Sequence, residues 1–228
     1  MNYISNHELW WTYSTRQISC STCPPWDEVA SALSHPHTAN ALEALQFALP
    51  SPHVDIQGAV QFVAELFVPG TPVLRVAFNL SRRILQQFDY QGGMTDVFTP
   101  VPHVMGAMRG VCQDFAHVAI ARLRAAGLAA RYVSGYLATQ PTRGATRLTG
   151  ADASHAWLSV WCPEFGWVDF NPKNDVIPGT DHITLGWGRD YSDVSPTKGF
   201  IHGGGAQTLD VAVQVLPIPT TPHTQESS

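Results

Sequence analysis

Apolar residues recur at helical spacing over the first half of the chain and at strand spacing after it. Val73, Val76, Ala77, Leu80, Ile84 and Phe88 follow one another at three- and four-residue steps. That stripe predicts a helix to Phe88, with Thr71 as N-cap and Pro72 as first helical residue. A second stripe, Cys112, Ala116, Ala119, Leu123 and Ala126, widened by Phe115 and Val118, predicts a helix from Cys112 to about Ala126. Asp114 in its first turn, Arg122 and Arg124 in its last and Gly127 beyond it all suit the helix dipole and a C-terminal stop. Weaker patterns predict a short strand at Trp10-Trp11-Thr12-Tyr13, helical turns over Asp27–Leu33 and Thr38–Ala48, and a helix over Ile56–Phe67. Pro50, Pro52, Pro69 and Pro72 punctuate that region, and Asp89–His103, with Gly92-Gly93, reads as a loop leading towards Cys112.

Beyond Gly127 the period becomes two. Arg131–Leu137, His155–Cys162 and Trp167–Asn171 read as strands, the last two joined by a turn at Pro163–Gly166. Residues 139–153 form a polar loop, Leu209–Leu216 alternates as a last strand, and the end of the chain reads as a disordered polar tail. Helices grouped ahead of strands predict an α+β fold rather than a doubly wound sheet. The expected organisation is a truncated or degenerate N-terminal region (1–50), a core (51–217) and a tail (218–228).

Composition narrows the function more than the fold. With 13 Lys and Arg against 18 Asp and Glu, the net charge is −5 and no basic run is present, so nothing favours nucleic acid or an anionic membrane. No apolar run reaches membrane-span length, and the N-terminus lacks a signal-peptide pattern, so a cytoplasmic location is expected. Cys20 and Cys23 form a lone C-x-x-C with no second ligand pair, Cys162 reads as packing, and the ten histidines show no metal-ligand spacing. No cofactor or metal is expected.

Candidate chemistry centres on Gly110-Val111-Cys112-Gln113-Asp114, where a glycine-ended loop enters the helix. A thiol at a helix N-terminus has backbone N–H groups and the positive end of the dipole beside it, which favours the thiolate nucleophile. In the two following strands, alternation puts Ala156, Leu158, Val160 and Cys162 on the core face. His155, Trp157, Ser159 and Trp161 lie on the other face, with Asp169 and Asn171. A register setting Asn171 opposite His155 would make Asn171 the residue that orients the imidazole, by accepting its N–H, with Asp169 behind it; a shift of two would change the pairs. Cys112 would attack an amide carbonyl and His155 would protonate the departing amine, while the Cys112 N–H serves as an oxyanion donor. Cys-His-Asn is a working form of this triad. Gln113, Asp114, Trp157 and Tyr191 are candidates for shaping the substrate cleft.

Several separated motifs resemble the bacterial and archaeal transglutaminase-like superfamily. They are Arg109–His117, Ala130–Leu137, Gly150–Trp157 and Gly166–Pro172, with Gly188–Val194 and Gly203-Gly204-Gly205 similar to that family's C-terminal part. The resemblance runs from about Ala48 to Val215. It implies a papain-like core, with the nucleophile at a helix N-terminus packed against an antiparallel sheet that carries the histidine and the acid. The family usually has Asp-Pro-Thr-Asn where this chain has Asn171-Pro172-Lys173-Asn174, and it commonly carries a β-rich N-terminal domain for which this sequence has little room. The expected activity is acyl transfer from a peptide, isopeptide or glutamine side-chain amide through a thioacyl intermediate, ending in hydrolysis or transfer to an amine. The expected partner is a peptide, protein or small amide substrate. A catalytically weak or silent binding domain is the alternative, and Asn171 at the acid position favours it.

Overall fold

The computed structural model describes residues 10–13, 16–19, 22–57, 59, 66–138, 154–174, 177–195, 199, 202, 203, 213 and 215. The expected helix over 56–67, the loop 139–153, the strand 209–216, the tail and Cys20 fall wholly or mostly outside them.

Two short strands, β1 (Trp10–Tyr13) and β2 (Arg16–Ser19), pair antiparallel ahead of α1 (Trp26–Ser34) and α2 (Ala39–Leu45). Helix α3 (Val73–Gln87) begins one residue later than the sequence predicts. Pro72 is still extended (ψ 134°), and no side chain caps the helix. The Val73 N–H goes instead to the Pro24 carbonyl at 2.9 Å, while the Trp26 N–H goes to Thr71, so the chain before α1 caps α3.

The expected loop Asp89–His103 gives way at its end to a further helix, α4 (Val101–Ala107). Its proline falls in the first turn, where a helix tolerates one. Met108 in the left-handed region (φ 53°) stops it. The chain then pairs β4 (Arg109–Gly110) in parallel with β3 (Asp89–Tyr90) and enters α5 (Cys112–Ala125).

A four-stranded antiparallel sheet follows, in the order β7-β6-β5-β8. It comprises β5 (Ala130–Leu137), β6 (Ser154–Cys162), β7 (Gly166–Phe170) and β8 (His182–Gly188). Helix α5 lies across β5 and β6, and α3 lies against α5, β6 and β7. The core face of β6 is the predicted one: Ala156, Leu158, Val160 and Cys162 pack with Phe115, Ala119 and Leu123 of α5. Two expectations need correction. The β6–β7 register is shifted by two, pairing Leu158 with Phe170 and Ser159 with Asp169, because parity fixes the face of a strand but not its offset. The other face of β6 is also closed to water. Arg131 lies between the Trp167 and Trp187 rings, 4.4 and 4.3 Å from their centroids, with Phe47 edge-on to both, and Trp157 and Ser159 are fully buried.

Gly135 is paired with His155 across β5 and β6. A Cβ there would meet the Ile183 carbonyl oxygen and, at 2.6 Å, the Trp157 ring. Gly135→Ala is therefore expected to force the strand beside His155 apart and to destabilise the protein by about 1–3 kcal/mol, measured by urea unfolding.

Candidate active site

The N-terminus of α5 is held by a carboxylate within it. Asp114 Oδ2 accepts the Val111 N–H at 2.7 Å and the Thr95 hydroxyl at 2.6 Å. Valine has no side-chain acceptor, so only this half of a capping box exists. Asp114 is 3% exposed, and burial raises its carboxyl pKa. It is an anchor for the loop before α4 rather than a wall of the cleft, which corrects the expectation from sequence. Gln113 remains partly exposed, and its amide faces the Val97 carbonyl at 3.5 Å.

Cys112 opens α5 and is partly exposed. The backbone N–H groups of Ala156, the residue after His155, and of Gln113 lie near enough to its sulfur to favour the thiolate. The nucleophile candidate therefore touches the histidine strand. These N–H groups and the Lys173 charge pull the thiol pKa down, as a helix start should, but burial outweighs them and the net shift is upward. Burial thus works against the thiolate expected from sequence.

His155 is 6% exposed, and its Nε2 lies 2.9 Å from the Asn171 Nδ2. Burial, with the Lys173 charge, depresses its pKa to about 4, so it is neutral at pH 7. Asn171 follows the last residue of β7 and is fully buried. It reaches His155 although the register places it diagonally across the strands, and its side-chain nitrogen rather than the expected oxygen faces the ring. Asp169 stands behind them, its Oδ2 accepting the Trp157 indole N–H at 3.1 Å. Trp157 has no exposed surface and forms the floor under the histidine rather than a substrate contact, against expectation.

Three residues join the site that the sequence had not indicated. His182, at the start of β8, places its Nε2 3.0 Å from the Asn171 Nδ2 and its ring edge-on to Trp157. Lys173 donates its backbone N–H to Asn171 Oδ1 at 3.2 Å, and its ammonium lies 4.3 Å from the Tyr90 ring centroid. Tyr132 is buried within electrostatic range of Cys112 and stacks near His117 and Tyr191. His182 falls in a run whose apolar Ile183, Leu185 and Trp187 are exposed, an inverted pattern that hides the strand.

Tyr191 belongs to a 3-10 turn (Tyr191–Asp193) docked on α5, with its N–H on His117 Nε2 at 3.3 Å. The preceding Asp190 is fully buried. Burial opposes its charge, but donors including the His53 N–H and the Ser192 N–H and hydroxyl hold its pKa at about 2. Arg189 and Asp193 close the same turn as an ion pair at 2.9 Å.

Residues 60–172, which include Cys112, His155 and Asn171, match the sequence model of the transglutaminase-like superfamily core. The chain belongs to the transglutaminase-like superfamily. A Mycobacterium tuberculosis protein of uncharacterised function is 45% identical over 180 residues, covering 76% of this chain and 57% of its own. The chain thus spans little more than half the length of that curated relative. A Pseudomonas aeruginosa protein-glutamine gamma-glutamyltransferase is 37% identical over 70 residues, 30% of this chain and 10% of the transferase. Among solved structures, a candidate cysteine protease from Cytophaga hutchinsonii superposes with a TM-score of 0.57 at 24% identity, over 67% of this chain and 49% of that one. That likeness supports the papain-like transglutaminase fold.

Proposed function

We propose that this transglutaminase-like domain is a cysteine acyl-transfer enzyme acting on a peptide, isopeptide or glutamine side-chain amide. One observation carries the reading: the Ala156 N–H, next to His155 in the chain, lies beside the Cys112 sulfur, and the His155 ring in turn lies against the Asn171 amide. With both groups neutral at rest, His155 takes the thiol proton as the sulfur attacks the carbonyl carbon. The imidazolium so formed gives that proton to the amine as the C–N bond breaks, leaving a thioester on Cys112. Water or a second amine, deprotonated by His155, then releases the acyl group. The Cys112 N–H at the helix start is the proposed donor to the oxyanion. A binding domain without turnover is the competing reading, and the absence of a carboxylate from the acid position favours it.

Alkylation of Cys112 by iodoacetamide across pH separates the two. At pH 7 the wild-type rate is expected to exceed that of His155→Ala by about tenfold or more, because the raised thiol needs a base. The advantage should vanish below about pH 4, where His155 is protonated, and again above the thiol pKa, where the thiolate forms unaided. Equal rates in the two proteins at every pH would establish an unassisted thiol and the binding-domain reading. N-blocked glutaminyl-glycine, with and without hydroxylamine, then distinguishes ammonia release by hydrolysis from hydroxamate formation by transfer.

A further inference from the structure

Asn171 is placed between two imidazoles rather than beside one. Its Nδ2 lies 2.9 Å from His155 Nε2 and 3.0 Å from His182 Nε2, while Oδ1 accepts the Lys173 N–H at 3.2 Å. Burial lowers the pKa of His182 as it does that of His155, against the opposing pull of Asp181 and Asp169, so both rings are neutral near pH 7. A neutral imidazole carries one proton, and its hydrogen-bond partner decides which nitrogen holds it. With the amide nitrogen facing them, both rings accept at Nε2 and carry the proton on Nδ1. In that state the Nδ1 of His155 cannot take a proton from Cys112. After a half-turn of the Asn171 amide, Oδ1 would accept Nε2–H from both rings and the Nδ1 of His155 would be the free base, while the Lys173 N–H would lose its acceptor and oppose the turn. The two ends of a carboxamide are nearly isosteric, so the surrounding donors and acceptors set this balance.

His182 makes one hydrogen bond to Asn171 in either orientation. The difference it introduces lies at its other nitrogen. His182 Nδ1 is buried and has no hydrogen-bond partner among the described residues. When the amide nitrogen faces the rings, that Nδ1 must carry a proton with no acceptor; after the half-turn it is a bare lone pair. An orphaned buried N–H is the costlier of the two. We propose that His182 is a positioning residue that biases the Asn171 amide, and through it the tautomer of His155, towards the form whose Nδ1 can deprotonate Cys112. This rests on the reading of Cys112 and His155 as nucleophile and base. The edge-on contact with Trp157 at 5.4 Å holds the His182 ring in place for this role.

Nitrogen-15 NMR of the histidine-labelled chain reads the tautomer directly, because protonated and bare ring nitrogens resonate far apart. His182→Phe keeps an aromatic ring on Trp157 but removes the bond to Asn171 and the bias. The ratio of Nε2–H to Nδ1–H in His155 is expected to fall about tenfold, and the His155-dependent alkylation rate of Cys112 with it. His182→Lys places a donor with no acceptor capacity at the same position and is expected to move the ratio the opposite way. A purely structural role would not give opposite signs. A His155 tautomer ratio unchanged in both variants overturns the proposal, as does one that moves the same way in both. If the ratio responds as expected but wild-type Cys112 shows no His155-dependent rate, the tautomer coupling stands and the enzyme reading fails. If one variant does not fold, a His155 ratio in the other that fails to move in its expected direction still overturns the proposal.

Discussion

Cys112→Ala is expected to lower kcat at least about ten-thousandfold on any amide the domain turns over, and to leave the fold intact. Among the described residues no other thiol can replace it, since Cys23 and Cys162 are both buried. Its side chain is only partly buried at the edge of the core, so deleting the sulfur opens no cavity comparable to a lost leucine. His155→Ala should lose activity on a similar scale, and the double replacement little more than the worse single one. Nucleophile and base act as one unit, so either loss removes the same step. Steady-state kinetics on the three variants, with thermal unfolding alongside, checks this. Residual turnover in Cys112→Ala within a hundredfold of wild type would assign the chemistry to another group.

The largest effect on stability is expected at the other end of the same helix. Arg124 is 2% exposed, and its guanidinium makes five hydrogen bonds. Two go to the Ala130 carbonyl, one to that of Leu49, one to that of Arg189 at 2.6 Å, and one to the Ser51 hydroxyl. Burial lowers its pKa to about 10, still well above neutrality, so the charge persists at pH 7. Arg124→Met keeps the length and the apolar stem and removes every donor. Three carbonyls then lose a partner in the interior, at a cost of about 3–5 kcal/mol. Urea denaturation measures it, and a loss below about 1 kcal/mol would mean that water takes over the carbonyls.

Much of this arrangement is legible in the sequence wherever several local signals coincide. Helix α5 has its apolar stripe, an acid in the first turn, Arg122 and Arg124 in the last and a terminal Gly127, and its observed bounds follow. The face of β6 that meets the core follows from alternation alone. What local pattern cannot supply is offset and cover. Whether Asn171 stands opposite His155 or Trp157 depends on how the turn at Pro163 closes. That Trp157 is a floor and not a cleft wall depends on Asp169 of β7 and His182 of β8, which close over it. Strand β8 itself is obscured because Gly186 and Gly188 lie in it and its apolar residues face outward. The direction of the forces on Cys112 is readable from its place at a helix start, yet the burial that reverses their sum comes from tertiary packing. Asp114 shows the same limit: an acid in a first turn is visible, but its bond to Thr95, nineteen positions earlier, is not.

Helix α5, fourteen residues and so about 21 Å long, carries the proposed nucleophile in its first turn and the interior tether in its last. At that separation the free-energy effects of changes at the two ends are expected to add. An exchange beside the sulfur is therefore expected to leave the Arg124 contacts at full strength. A helix loaded in this way lets a lineage vary its chemistry and conserve its scaffold independently.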